Sequence, residues 1–410
     1  MSDKIQKEMT ADEEQQFYMA LQKEKAPKYR TANIATVAMF LSFIFVFTAL
    51  FFIFPDKEMS EDENRALQTA PKVTLDAVTS GQFATDISNY VADQFPFRNA
   101  FIGIKAACEK ILLKDQNNGV ITADDGYLVT RYDTVDEKIL RGNLESIAAF
   151  KEHCDKNGIE VTSAFAGRTM DTVTDAIPPS YGTDASDAAW DLLKKNCTEL
   201  GLDYVDLREP IKEAFSKGEY VMYKTDHHWT SLGAFRAYGA IAESASLPIF
   251  TQDDFTVETV SDSFFGTTWS TAGTKWTKPD TIELFRFDGD EDLTSTLSTG
   301  KVIDGLYDMS ALDTKDKYKV FLDGNTAETD VTLEGADREC VLVVKDSFAH
   351  SLVPFLSRTY DVVMIDLRYY TGSPAELCRE KNINKVFLIY NMDTLANESG
   401  FRLFKMGLDK

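Results

Sequence analysis

Histidine is scarce in this 410-residue chain, which has four, and its cysteines number five: Cys108, Cys154, Cys197, Cys340 and Cys378. The cysteine count is odd, the spacing is wide and no CxxC pair occurs, so neither a zinc site nor a dense disulfide framework is expected. At most two bridges can form, and the side chains read mainly as small buried hydrophobes. Positive charge is also short. Lys and Arg number 43 against 66 Asp and Glu, giving a formal net charge of −23 and a pI near 4.6. A nucleic-acid binder would show a basic face, and this balance argues against one. It suits a dispersed soluble body, or one facing neutral carbohydrate. Repeats and low-complexity tracts are missing too, while the apolar and aromatic content is that of a folded protein with one large or two moderate domains.

One long apolar run is present. Ile34 to Phe54, IATVAMFLSFIFVFTALFFIF, carries no charge and is interrupted only by Thr36, Ser42 and Thr48. At a rise of about 1.5 Å per residue it spans a hydrocarbon layer of about 30 Å. It ends in Phe-Phe-Ile-Phe-Pro with no A-x-A cleavage pattern, so it reads as a spanning anchor and not as a cleaved signal. Lys25, Lys28 and Arg30 precede it, whereas Asp56, Glu58, Glu61, Asp62 and Glu63 surround Lys57 after it. The positive-inside bias therefore predicts a single-pass protein with a cytoplasmic tail over residues 1–30, an anchor over 31–55 and everything beyond outside the cell membrane.

Residues 56–137 read as a stalk and lead-in segment. It contains a helix over Gly81–Asp93, a turn at Phe95-Pro96-Phe97-Arg98 and a β-hairpin over Asn118–Thr130 around Asp125-Gly126. From about residue 138 to 410 helices alternate with apolar strands: a helix ending at Asn157-Gly158, a strand over Ile159–Ala166, a helix over Ala185–Leu200 stopped by Gly201, and a short strand over Asp203–Leu207. Three more apolar strands follow, over Cys340–Lys345, Asp361–Asp366 and Lys385–Tyr390. That alternation predicts an α/β fold with a parallel sheet covered on both faces. Between about 249 and 338 the pattern shifts to short Thr-rich β-prone pieces, read as a β-rich insertion or a set of long loops.

Two of the four histidines are adjacent, in Thr225-Asp226-His227-His228-Trp229-Thr230. A helix begins after Thr230, a fitting N-cap, so the block lies on the loop before it. Asp226 and His228 are two apart and share a side of an extended segment, where the carboxylate can fix the tautomer of the imidazole. The second element is the strand Val341–Val344 running through Lys345-Asp346-Ser347 into a helix. A serine there is presented at the carboxyl end of the sheet, beside backbone N–H groups that favour an oxyanion. Ser347 needs a base, and His228 is the expected one. His227 can line the pocket or orient the loop, and Trp229 reads as a packing residue that pins it. Taken alone, Asp346-Ser347 is an ordinary N-cap pair, and His350 reads as a packed or surface histidine.

With these residues in view, the chain resembles the DHHW family of bacterial membrane-anchored proteins, which is similar to the SGNH-hydrolase-like domain of the alginate O-acetylation proteins. The resemblance also takes in Glu63-Asn64-Arg65, Phe95-Pro96-Phe97-Arg98 and Asp125-Gly126-Tyr127-Leu128, and covers nearly all of residues 34–395. It implies a three-layer SGNH-like fold with Asp226 as acid, His228 as base and Ser347 as nucleophile. It further implies O-acetylation or deacetylation of cell-surface polysaccharide, together with a multi-spanning membrane-bound acyltransferase partner. The order of the motifs is reversed relative to ordinary SGNH hydrolases, and no match stands out for their oxyanion residues. Asn391 and Arg168, at strand ends, are the candidates. No cofactor or metal is expected. A metal-dependent phosphoesterase would need more Asp or His ligands, and only His153 and His350 remain. The same residues are also compatible with D-alanyl transfer to teichoic acid, and the fold with a non-catalytic envelope scaffold that binds polysaccharide.

Overall fold

The computed structural model describes residues 10–60, 65–132 and 134–408. Residues 1–9 of the expected tail, and Glu63-Asn64 of the Glu63-Asn64-Arg65 stretch, lie outside the described residues. The chain divides into two compact units, one of Met1–Ser60 and Arg65–Phe101, the other of Glu61–Asn64 and Ile102–Lys410.

In the first unit a single helix runs from Ala11 to Ile53. Its start is closed by Thr10, whose backbone N–H donates to Glu13 Oε2 at 2.9 Å, and it stops just before Pro55, which disfavours helical geometry in the residue ahead of it. Its 25-residue stretch Tyr29–Ile53 is long and apolar enough to cross a membrane, and the side chains there are not packed inside a core. Two further helices follow, Leu75–Thr79 and Gln82–Asp93. Gly81, at φ +80°, makes the left-handed turn into the second of these, a conformation costly for other residues.

The second unit is built on an eight-stranded sheet. In chain order its strands are β1 (Glu160–Ala166), β2 (Val205–Asp206), β3 (Leu293–Leu297), β4 (Val302–Asp304), β5 (Glu328–Leu333), β6 (Cys340–Lys345), β7 (Asp361–Ile365) and β8 (Lys385–Asn391). Across the sheet the order is β4-β3-β5-β7-β6-β8-β1-β2. The five strands from β7 to β2 are parallel, and β5, β3 and β4 continue the sheet antiparallel. The Thr-rich stretch after residue 249 therefore supplies three strands of the central sheet, plus a separate hairpin that pairs Thr256–Phe264 with Asp280–Arg286. The lead-in pairing, Val120–Thr122 with Leu128–Thr130, gains a third short strand, Gln116–Asn117, through the Asn118-Gly119 turn.

Side chains alternate across the pleat, so the apolar strands feed two cores. Val341, Val343, Val362, Phe387 and Ile389 join Phe235 and Ile241 of the helix Ser231–Ala245 on one face. Leu342, Val344, Val386 and Leu388 join Leu144, Phe150, Trp190 and Phe404 on the other. The result is three layers, with the carboxyl ends of β6, β8 and β1 gathered along one edge.

Asn143 ties the second face together. Buried in the helix Glu137–Lys156, it donates to the Leu395 and Glu398 carbonyls at 2.9 and 2.8 Å. Asn143→Ala strands both acceptors, and chemical denaturation is expected to show a loss of about 1–3 kcal/mol; an unchanged midpoint would mean that the C-terminal segment is held by packing alone.

Candidate active site

The Asp-His-His loop is shaped by a hydrogen-bonded reversal. Met222 and Trp229 form an antiparallel bridge, and Tyr223 N–H donates to the His228 carbonyl at 3.1 Å. The loop is then gripped by Asp280, a buried carboxylate at the start of the hairpin's second strand. Its oxygens accept from Lys224 N (2.9 Å), Thr225 N (2.7 Å), Thr225 Oγ1 (2.5 Å) and the Tyr220 hydroxyl. Burial pushes the Asp280 pKa up, against the hydrogen bonds that favour its charged form. Thr230 caps the following helix as expected, its hydroxyl accepting from Gly233 N at 3.1 Å.

Asp226, within this loop, is also buried. Its Oδ1 accepts from His228 N (3.1 Å) and lies 2.5 Å from His228 Nδ1. Its Oδ2 accepts from Thr267 N (2.9 Å) and Thr267 Oγ1 (3.2 Å). Burial works against the carboxylate, but the His227 and His228 rings and these donors outweigh it and hold its pKa well below the usual range. The carboxylate is therefore charged at neutral pH.

Ser347 follows β6 and opens a short 3-10 turn, Ser347–Ser351. Asp346 fixes that turn, its carboxylate accepting from Phe348 N at 3.0 Å and from Asn391 N, at the end of β8, at 2.7 Å. Trp229 Nε1 donates to the Phe348 carbonyl (3.0 Å) and to Ser351 Oγ (2.9 Å), so the Trp pins one loop to the other. Across this junction His228 Nε2 stands 2.7 Å from Ser347 Oγ. The imidazole is stacked on the Tyr318 ring at 4.0 Å and 8° and flanked by Phe348 at 5.0 Å, which leaves it little freedom to turn. Asp226, His228 and Ser347 thus form one hydrogen-bonded line from a buried carboxylate to a half-exposed hydroxyl.

The remaining expected residues surround this line. His227 is half-exposed, with Nδ1 2.9 Å from Thr267 Oγ1, and its ring lies 3.9 Å from that of His228; the partial loss of solvent and the neighbouring imidazole lower its pKa. Lys345 pairs with Ile389 across β6 and β8, which sets Asn391 level with Ser347. The Asn391 side-chain oxygen caps the next helix by accepting from Asp393 N and Thr394 N, while its amide nitrogen has no partner among the described residues. The Ser347 N–H likewise has no partner among the described residues. Arg168, past the end of β1, is buried and committed to Asp171 (2.9 and 3.0 Å) while stacking over Tyr132 at 4.1 Å. His350 is buried with Nε2 2.5 Å from Lys345 Nζ, away from the line to Ser347, and burial and that lysine lower its pKa.

Comparisons with known proteins bear on this region. Residues 198–366 match the DHHW protein family. The probable alginate O-acetylase AlgJ of Pseudomonas putida is 21% identical over 184 residues, 44% of this chain and 48% of that protein. The chain spans about half the length of that curated relative. A DHHW family protein from Eubacterium siraeum superposes with a TM-score of 0.58 at 20% identity, over 71% of this chain and 96% of the other. Bacillus cereus PatB1, solved with a sulfonyl adduct, gives 0.57 at 20% identity, over 70% and 99%. At this identity the two structures establish the α/β fold.

Asp226, His227 and His228 also offer three ligand atoms within 4.8 Å of one another, a spacing a divalent ion would accept. Both nitrogens of His228 are already engaged, however, one by Asp226 and the other by Ser347. Sequence reasoning missed Asp280, Thr267, Gly266 and Tyr318. None sits in a motif, and none carried a signal in the sequence, since each is set by what the fold brings opposite it. A Cβ on Gly266 would lie 2.2 Å from Asp226 Cβ and Oδ2, whereas one on Gly239, in the helix after the histidines, meets nothing within 4 Å. Gly266→Ala is expected to lower stability by about 1–3 kcal/mol through this overlap, and Gly239→Ala to raise it by about 0.5–1 kcal/mol. Equal melting shifts for the two variants would show that Asp226 is not tightly enclosed.

Proposed function

We propose that this chain is an extracytoplasmic serine acyltransferase or esterase, with Ser347 as nucleophile, His228 as general base and Asp226 as the group that orients and charges the imidazole. The observation that carries this reading is the 2.7 Å contact between His228 Nε2 and Ser347 Oγ, with Asp226 on the opposite ring nitrogen. Ser347 Oγ attacks the carbonyl carbon of an acyl ester while its proton passes to His228 Nε2. Negative charge then builds on the carbonyl oxygen, and the donors proposed for it are the Ser347 N–H and the Asn391 side-chain nitrogen. Collapse of that intermediate expels the leaving alcohol, which takes the proton from His228, and leaves an acyl-serine. A second alcohol or water reverses the sequence and frees Ser347.

The similarity to a probable alginate O-acetylase supports acetyl as the group moved and a cell-surface polysaccharide as acceptor. The family resemblance implies a multi-spanning membrane-bound acyltransferase as the source of acyl groups. A sulfonyl adduct, as in the PatB1 structure, is what a nucleophilic side chain forms with a sulfonylating reagent. The apolar stretch Tyr29–Ile53 supplies a single anchor, and the basic residues ahead of it favour a cytoplasmic N-terminus.

The full chain in detergent is expected to hydrolyse p-nitrophenyl acetate and to be labelled by a fluorophosphonate. Ser347→Ala and His228→Ala are each expected to cut kcat by roughly 10³-fold or more, and Asp226→Asn by about 10²–10⁴-fold. Turnover by Ser347→Ala at the wild-type rate would remove the serine from the mechanism.

A further inference from the structure

The first unit carries apolar surface that a simple stalk would not need. The helix Gln82–Asp93 places Phe83, Ile87, Tyr90 and Val91 at helical spacing on one side. It then turns at Pro96 into the next helix, Arg98–Ile111, which leaves the unit after Phe101. The aromatic residues of this hairpin lie along the end of the apolar helix. Tyr90 packs edge-on against Phe51 (5.4 Å), Phe95 stacks on Phe47 (5.4 Å), and Phe101 meets Phe47 and Phe43 (5.5 and 6.5 Å). Polar contacts mark where this packing stops: the Tyr90 hydroxyl donates to Asp56, and Gln94 exchanges hydrogen bonds with the Lys57 backbone at 2.9 Å.

From Phe43 to Ile53 the helix rises about 15 Å, half of an apolar layer about 30 Å thick. Residues that pack beside Phe43 and Phe47 are therefore at membrane depth if Tyr29–Ile53 spans. Beside these contacts the hairpin keeps exposed apolar surface: Ile87 is 37% exposed, Val91 45%, and Phe97, whose ring meets Phe54 edge-on at 5.7 Å, 57%. Its turn leaves few polar groups to be satisfied. Pro96 has no N–H, Gln94 N donates to Tyr90 O, and Arg98 N donates to Phe95 O.

We propose that the Gln82–Phe101 hairpin is a second membrane contact, with Ile87, Val91 and Phe97 set among lipid acyl chains beside the end of the spanning helix. This rests on the single-span reading of Tyr29–Ile53. The occupant is lipid because the uncovered residues continue the lipid-facing surface of the span. The attraction is apolar and not one of headgroup charge, since the hairpin carries Asp86 and Asp93 against a single basic residue, Arg98. Two attachments in place of one would restrict how the chain beyond Phe101 leaves the membrane.

The test uses the full chain in phosphatidylcholine nanodiscs, with Cys108 and Cys340 replaced by Ser. Single cysteines from Ile87→Cys, Val91→Cys, Phe97→Cys, Ser88→Cys or Phe45→Cys carry a bimane label. Brominated phosphatidylcholine is expected to quench the labels at 87, 91, 97 and 45 about twofold more than the label at 88, and aqueous iodide to do the reverse. Iodide access at 87, 91 and 97 with lipid quenching retained at 45 would overturn the proposal and leave the span intact. Protection of those three from both quenchers would overturn it in favour of a protein occupant. Loss of lipid quenching at 45 would defeat the span and the proposal together.

Discussion

A charged carboxylate buried in a protein must be matched donor for donor, and the site here is arranged around that demand at Asp226. Its oxygens are met by two groups of His228 and two of Thr267, because an unpaired buried charge would cost far more than the fold can supply. Thr267 can reach it only because residue 266 has no side chain. The backbone there passes so close that a Cβ would overlap the carboxylate. Satisfying Asp226 also fixes the imidazole: with Nδ1 held by the acid, Nε2 is the nitrogen that faces Ser347.

A second buried carboxylate does the same for the backbone. Asp280 gathers two N–H groups and two hydroxyls from the Tyr220–Thr225 segment, and so binds the histidine loop to the β-rich stretch that follows it. Ser347 is positioned from the other direction, by Asp346 bridging the ends of β6 and β8. Trp229 closes the gap between the two assemblies. The His228–Ser347 contact joins residues 119 apart in the chain, and each partner is held by hydrogen bonds that do not depend on the other. On the proposed reading such a site is organised before a substrate arrives, which is the condition for electrostatic stabilisation without reorganisation at the moment of reaction.

The parts written in local pattern were legible from the chain. Thr230 before an apolar-periodic helix reads as an N-cap and is one; the all-apolar Val341–Val344 reads as a doubly covered strand and feeds both cores. The block Asp226–Trp229 and Ser347 could be picked out because histidine is rare and each lies at an element boundary. What could not be read depends on pairing between distant segments. β3, β4 and β5 are Thr-rich and short, and only their neighbours in the folded sheet show that they extend it. Asp280 looks like any surface acid in a chain with 66 acidic residues. Gly266 has an ordinary backbone conformation, so its need for glycine arises from what lies opposite it. The dipeptides Asn118-Gly119 and Asp125-Gly126 lie seven residues apart, and each turns the chain between short strands, so the lead-in has three strands where a single hairpin was expected.

The central claim is that the line from Asp226 through His228 makes Ser347 a nucleophile that carries an acyl group. The most direct measurement is peptide mass spectrometry of the full chain after brief exposure to an activated acetyl ester and an acid quench. The account predicts one added acetyl group on the peptide containing Ser347, missing from His228→Ala under the same exposure. Acetylation spread over surface lysines, with the Ser347 peptide unmodified in the wild-type chain, would contradict it.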